Sequence, residues 1–199
     1  MADAALYPSF TWQMPENNRN IYLSFDDGPH PQVTPFVLDQ LKDFKAKASF
    51  FCIGDNIVKY PKVYERIVNE GHTVGNHTQN HLNGWKSPTT KYLENVAAAA
   101  NYIDSNLFRP PYGKIKRFQA KQLQENLGLK IIMWSVLSGD FDQQILPEKC
   151  LQNVLLNTRP GSIVVFHDSE KAWKRLVYAL PKVLEYFTEK GYSFEKIKL

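Results

Sequence analysis

The sequence predicts an α/β protein in which parallel strands alternate with helices around an irregular barrel. Short apolar runs followed by helical patterns recur about seven times, and short links join them. Polar residues also recur directly after the apolar runs. In parallel α/β barrels such positions meet at one face, where active sites are built. We therefore expect one domain, a barrel slightly smaller than the eightfold one.

The predicted strands coincide with the apolar runs 21–25, 48–53, 73–75, 107–108, 130–134, 162–166 and 192–194. Helices are expected at 36–44, 61–70, 89–105, 118–126, 147–157 and 175–190. Thr34 followed by Pro35 is typical of a helix start, and Gly191 is suited to close the last helix. Residues 1–19 are interpreted as an N-terminal segment and residues 20–199 as the domain.

Composition indicates a globular protein. Apolar residues make up 43% of the chain and charged residues 22%, which excludes a disordered polymer. No apolar run is long enough to span a bilayer, so we expect no membrane insertion. The net charge of +4 comes from scattered basic residues, and we expect no nucleic-acid partner. The sequence makes no prediction about oligomeric state.

The N-terminal sequence allows only a conditional prediction of the cellular compartment. Met1 to Phe10 show neither a basic region nor an apolar core of a secretory signal. We expect a cytoplasmic protein if the chain is complete, and an exported one if it is trimmed from a longer precursor. The cysteines, Cys52 and Cys150, do not form a disulfide framework.

Adjacent carboxylates, Asp26 and Asp27, end the first apolar run and precede the turn Gly28-Pro29. Side chains of neighbouring residues at a strand end diverge. One carboxylate can therefore bind a metal ion while the other faces a substrate. Taken alone, the same four residues are also an ordinary solvated turn.

Two histidines, His77 and His81, follow the third apolar run at a spacing of i and i+4. That spacing predicts that both imidazoles lie on one side of a helical turn. Two histidines and one carboxylate form the ligand set of a catalytic divalent site that keeps a position open for water. Isolated histidines at this spacing are about as often surface residues.

Three further polar residues follow later apolar runs. Arg109 opens the stiff segment Arg109-Pro110-Pro111-Tyr112-Gly113 and could hold a carboxylate, although it could also be a surface residue of a connector. His167 emerges from a buried strand and could act as a general acid, or be a satisfied half-buried histidine. Asp140 is a possible orienting partner for His167.

Together these motifs resemble those of the polysaccharide deacetylases with the NodB homology domain, carbohydrate esterase family four. The resemblance runs from about Asn20 to Tyr192 with the motifs in the family's order. It implies a deformed (β/α)7 barrel, one divalent metal ion, zinc or cobalt, and hydrolysis of an N-acetyl group. Matching motifs would make Asp27, His77 and His81 the metal ligands.

The remaining roles are also implied by the resemblance. Asp26 would be the general base for a metal-activated water, held by Arg109. His167 would be the general acid, tuned by Asp140. The backbone N–H of Tyr112 would stabilise the oxyanion.

The chain departs from the family's usual motifs at the substrate pocket. Leu137 replaces an Asp, Phe141 replaces a Trp, and Val165 replaces the leucine of the last motif. Val165 still suits an apolar floor for an acetyl methyl group. The residues expected to contact substrate are Tyr112, Pro110, Trp85, Phe141 and Val165.

The leading hypothesis is a metal-dependent N-deacetylase of an acetylated glycan such as peptidoglycan or chitin. An O-acetyl esterase acting on xylan-like glycans, or a hydrolase of small amides, would use the same fold. A sugar-binding module without catalysis is the alternative from another class, since fold alone does not determine function. The complete set of acid, base and ligands argues against that module.

Overall fold

The structure, a computed structural model, describes residues 7–16 and 18–199. Its strands are β1 (Asn20–Asp26), β2 (Ala48–Cys52), β3 (Thr73–Asn76), β4 (Leu107–Phe108), β5 (Lys130–Ile131), β6 (Val136–Leu137), β7 (Ile163–His167) and β8 (Ser193–Phe194). They form one sheet in the order β5-β4-β3-β2-β1-β7-β6, with β8 paired to β1 off this path. All pairings between these strands are parallel. The predicted α/β barrel is confirmed, in the form of a curled, open half-barrel.

Helices cover the outside of this sheet. They are α1 (Val33–Asp43), α2 (Gly54–Lys59), α3 (Pro61–Asn69), α4 (Thr89–Ala100), α5 (Arg117–Leu127), α6 (Pro147–Asn157) and α7 (Trp173–Glu189). In α7, buried residues recur every three or four positions, as in an amphipathic helix packed on a core. Within the described residues, none of the helices combines the length and the apolarity needed to cross a membrane.

Several predicted boundaries were wrong. The first helix begins at Val33 rather than after Thr34, because the Thr34 hydroxyl binds the His30 N–H and the Asp168 carboxylate instead of capping a helix. The helix predicted to reach residue 105 ends at Ala100, and the strand predicted to reach residue 134 ends at Ile131. The short elements α2 and β6 were not predicted.

Side chains alternate along the strands, which places the hydrophobic core and the candidate site on opposite sides of the sheet. Phe25 of β1 stacks between Phe50 of β2 and Phe166 of β7, with centroid distances of 5.1 and 6.1 Å. These rings face the helices, and burying each stabilises the fold by about 1.5–3 kcal/mol. Because side chains alternate along a strand, the next residue, Asp26, points to the other side of the sheet, beside His167.

The N-terminal segment packs against the two sides of the sheet opening. Thr11 forms a parallel bridge with Ile132 beyond β5, and Gln13 forms an antiparallel bridge with Ser162 before β7. Phe10 and Met14 are buried among the sheet residues. Residues 7–16 are therefore part of the packed structure.

Candidate active site

A cleft of about 470 Å³ opens where β1, β3 and β7 end. The residues predicted from the sequence that border it are Asp26, Asp27, His77, His81, Tyr112, Phe141, Val165 and His167. Arg109 and Asp140 are fully buried behind them, and Pro110 is also buried. Trp85 borders a neighbouring groove instead. The sequence prediction did not single out Lys114 or Lys171, which also line the cleft.

Asp27, His77 and His81 form a cluster that could hold a metal ion. One ligand atom from each lies within 4.8 Å of the others. Asp27 Oδ1 lies 3.2 Å from His81 Nε2 and 3.7 Å from His77 Nε2. This buried oxygen accepts no hydrogen bond within the described part of the chain. A buried carboxylate oxygen facing two imidazole nitrogens fits a shared cation, so the residues present suit a divalent metal.

The two imidazoles are oriented by the segment that follows β4. His77 Nδ1 lies 2.7 Å from the carbonyl oxygen of Arg109, and His81 Nδ1 lies 3.1 Å from the Tyr112 hydroxyl. A donor or acceptor at Nδ1 fixes the ring and leaves Nε2 for a metal. Burial lowers the pKa of His77 to about 4, so this imidazole is neutral at pH 7, as a ligand must be.

The predicted helical turn for the histidine pair was wrong. Residues 78–80 form a turn, and Thr78 and His81 have positive φ angles of 67° and 59°. Asn76 holds this turn, because its side chain accepts from the Thr78 N–H and donates to the Val96 carbonyl. The rings still converge, with centroids 5.1 Å apart.

Asp26 is paired with a buried arginine. Arg109 donates from one terminal nitrogen to Asp26 Oδ1 at 2.7 Å and to the Ser24 hydroxyl at 2.8 Å. Its other nitrogens donate to the carbonyls of Ile132 and Met133. The guanidinium is thus fixed on several sides, and the second oxygen of Asp26 receives no hydrogen bond from the described residues.

His167 and Asp140 form a second buried pair. Asp140 accepts from the His167 backbone N–H at 2.7 Å and lies 2.8 Å from Nδ1 of the ring. Burial by itself would lower the pKa of His167, but the charge and hydrogen bond of Asp140 raise it to about 9. The imidazole is therefore protonated at pH 7, which suits a proton donor.

Replacing Asp140 by Asn should lower the pKa of His167. The amide lacks the negative charge, so we expect a decrease of about 1–3 units, measured by NMR titration of the ring in the metal-free protein. The ion pair contributes to stability fully below the ordinary pKa of 6.5, and this contribution is lost as the pH rises through about 9. Asp142→Asn, in the same loop, is the control, and an unshifted His167 in D140N would contradict the pairing.

Tyr112 is held in a backbone conformation that leaves its N–H free. It has a φ of 61° in the 3₁₀ turn Pro111–Gly113. Hydrogen bonds from Gly113 and Lys114 close this turn, whereas the described residues supply no acceptor for the Tyr112 N–H. The free donor lies in a segment that borders the cleft, which is where an oxyanion would need it.

Asp168 is a site residue to which the sequence prediction assigned no role. It is fully buried and accepts from the Gly28 N–H at 3.0 Å and from the Thr34 hydroxyl at 2.5 Å. Burial raises the pKa of its carboxyl group to about 8. Asp168 thereby supports the turn that follows Asp27. Only its position next to His167 in the sequence could have drawn attention to it.

Replacing Gly28 by Ala should displace this turn. An added Cβ would lie 2.0 Å from Asp168 Oδ2, so we expect a stability loss of about 1–3 kcal/mol. Zinc affinity, measured by calorimetry, should fall at least about tenfold, as when groups that orient a ligand are lost. Gly128→Ala is the control for zinc affinity: nothing lies within 4 Å of the added Cβ, but the φ of 62° makes alanine strained there, so this variant also loses stability. Equal zinc affinity in both variants would contradict this expectation.

The fold and the cluster place the chain among α/β-barrel proteins whose two histidines and one carboxylate are able to hold a metal ion. Residues 13–132 match the family model described as polysaccharide deacetylase. A peptidoglycan-N-acetylglucosamine deacetylase of Bacillus cereus is 35% identical over 190 residues, covering 92% of this chain and 89% of the relative. A chitooligosaccharide deacetylase of Azorhizobium caulinodans is 34% identical over 160 residues, covering 77% of this chain and 75% of the relative.

A solved structure supports the same grouping. The crystal structure of the Bc1960 peptidoglycan N-acetylglucosamine deacetylase, in complex with 4-naphthalen-1-yl-N-oxidanyl-benzamide, superposes with a TM-score of 0.86 at 33% identity. The match covers 95% of this chain and 91% of that one. The chain belongs to the polysaccharide deacetylase family, which confirms the resemblance seen in its motifs.

Proposed function

We propose that this protein is a metal-dependent hydrolase that removes N-acetyl groups from an acetylated amino-sugar polymer or oligomer of the peptidoglycan or chitin type. The observation that carries the proposal is the meeting of three groups in one cleft: Asp26, the cluster around Asp27, and His167. Relatives named as deacetylases of both glycan types support the substrate class.

Asp27, His77 and His81 would hold the divalent ion. Imidazole nitrogens with one carboxylate suit zinc or cobalt, because calcium and magnesium prefer all-oxygen ligands. The bound ion would polarise the amide carbonyl and make a water molecule more acidic. Burial lowers the pKa of His77 and keeps the imidazole neutral, which suits a metal ligand.

Asp26 and His167 would divide the proton transfers. Asp26 takes a proton from the attacking water, whose oxygen adds to the carbonyl carbon. Arg109 donates to one oxygen of Asp26 and fixes the orientation of the carboxylate. The Tyr112 N–H donates to the oxyanion. His167 then gives its proton to the nitrogen as the C–N bond breaks, which releases acetate and a free amine.

The apolar side of the cleft is suited to a small acyl group. Leu137, Phe141 and Val165 border the cleft beside His167, and the Phe141 ring stands edge-on to His167 with centroids 5.1 Å apart. Val165 would contact the acetyl methyl group. Leu137 and Phe141, which differ from the residues of the family's usual motifs, would shape the part of the cleft that holds the neighbouring sugar.

Acetate release from a substrate panel tests the proposal. The purified protein is stripped of metal and assayed with chitooligosaccharides, peptidoglycan and acetylxylan, before and after zinc or cobalt is restored. We expect metal-dependent release from an N-acetylated glycan. Release from acetylxylan alone would indicate the esterase, and glycan binding without turnover under either metal would indicate a binding module.

A further inference from the structure

We propose that a phosphate group, free or as part of an ester, binds in a basic cleft at the end of the barrel opposite the catalytic cleft. This basic cleft has a volume of about 380 Å³ and lies where α1 and α3 end and where β2 and β3 begin. A ligand bound there would leave the catalytic cleft free, so the inference does not depend on the proposed function. The residues that define the basic cleft are Lys42, Lys45, Ala46, Lys47, Glu70 and His72.

Lysine side chains give the basic cleft a positive charge that the chain does not balance. Lys42, Lys45 and Lys47 are exposed, and none of them forms an ion pair within the described part of the chain. Glu70 also borders the cleft, but its carboxylate already accepts from Arg66 Nε at 2.5 Å. Ammonium groups gathered in this way repel one another, and a bound anion would relieve that repulsion.

Two ammonium groups are held in place by the carbonyls that follow α3. Lys47 Nζ donates to the Glu70 carbonyl at 2.6 Å, and Lys196 Nζ donates to the Gly71 carbonyl at 2.6 Å. These acceptors are uncharged, and each ammonium keeps two further N–H groups for a ligand. Lysine binds phosphate as a point charge, whereas the forked donors of arginine match a carboxylate better. The cation type in the basic cleft therefore favours phosphate.

His72 adds a buried hydrogen-bond donor to the basic cleft. The residue is only 7% exposed, and its Nδ1 accepts from the Ala48 backbone N–H at 3.2 Å. Burial lowers the pKa of His72 to about 4, so the ring is neutral at pH 7 and carries its proton on Nε2. Nε2 has no hydrogen-bond partner among the described residues, and the Phe50 ring, edge-on at 5.4 Å between centroids, fixes the imidazole. Because His72 borders the cleft, this free N–H is available to a ligand there.

The combination of donors in the basic cleft matches a phosphate group. Such a group carries one or two negative charges and several acceptor oxygens, which can face separate ammonium groups and one imidazole N–H at the same time. The volume of the basic cleft lies in the range of small-molecule sites, so it also has room for a small group esterified to the phosphate.

An NMR titration with inorganic phosphate at low ionic strength tests the proposal, with the His72 ring as the probe. We expect a saturable shift of its signals and a rise in the pKa of His72 by about 1 unit or more, since a nearby negative charge favours the protonated ring. Sodium chloride at the same ionic strength should produce neither. A parallel titration with glycerol 3-phosphate distinguishes the source: tighter binding than that of phosphate indicates an ester, and equal binding indicates the phosphate group alone.

The double variant Lys42→Met/Lys45→Met tests whether the bound phosphate occupies the basic cleft. Both side chains are exposed and have no hydrogen bond within the described residues, so we expect the fold to be kept. The Kd for phosphate should increase about tenfold. Lys59→Met/Lys62→Met removes the same charge from exposed positions at the other end of α3 and is the control. Absence of a saturable shift at His72, or equal affinity in the two double variants, would overturn the proposal.

Discussion

Replacing Asp27 by Asn should remove the metal ion and, with it, acetate release. The amide supplies no negative charge to balance a divalent cation, and only the two imidazoles remain as strong metal ligands. We expect zinc affinity to fall by at least about 100-fold, more than for loss of a group that merely orients a ligand. Zinc content after dialysis and acetate release from chitooligosaccharides measure the two effects.

Asp104→Asn is the matched control for this variant. Asp104 is an exposed carboxylate between α4 and β4 and does not border the cleft. We expect it to keep full zinc content and activity. Full zinc content in D27N would mean that Asp27 is not a ligand. Full zinc content with lost turnover would mean that its carboxylate acts on the substrate instead.

Replacing Arg109 by Met should cause the largest loss of stability. The guanidinium has 0% exposure and lies 2.7 Å from Asp26. Without it, the buried Asp26 carboxyl group loses its partner, while the carbonyls of Ile132 and Met133 lose their donor. Breaking a buried pair in this way costs about 3–5 kcal/mol. Urea unfolding of the metal-free protein measures the free energy of unfolding.

A double-mutant cycle tests the cause of that loss. Asp26→Asn combined with Arg109→Met removes the carboxyl group that would be left unpaired, so the double variant should lose less stability than the sum of the single variants. Arg159→Met, at a side chain that is 60% exposed, is the control and should change stability by less than about 0.5 kcal/mol. Additive effects in the cycle would contradict coupling between the two residues.

The fold could be predicted from the order of apolar runs and helical patterns. The long strand β1 and the helices opened by a proline, such as α3 and α6, had clear signals, and their positions were close to those observed. The two-residue strand β6 could not be predicted, because so short an element carries no periodicity. Its pairing with β7 exists only through tertiary contacts.

The convergence of site residues could also be predicted, because strand ends in such a barrel meet at one face. The local backbone at His81 could not. The turn that contains it is held by hydrogen bonds from the Thr78 N–H to the Asn76 side chain and from the Gln79 N–H to the side chain of Asn95, which lies on the following helix. The spacing i and i+4 therefore predicted that the two rings lie close together, as they do, but through the wrong local structure.

The N-terminal segment shows another limit of pattern analysis. Residues 7–16 contain no long strand or helix, so no periodicity linked them to the domain. The buried positions of Phe10 and Met14 arise because the sheet is open and offers backbone groups at residues 131 and 161. Such an arrangement becomes visible only once the sheet is assembled.

The bridge at Thr11 bears on how the protein behaves in solution at high concentration. An open parallel sheet has two free edges, and unpaired edge strands recruit other chains into aggregates. Here the Thr11 N–H donates to the carbonyl of Ile131, the last residue of β5, and the Thr11 carbonyl accepts from the Met133 N–H. The opposite edge strand, β6, has only two residues. One edge is therefore covered and the other too short to serve as a template, which should keep the folded chains from joining edge to edge.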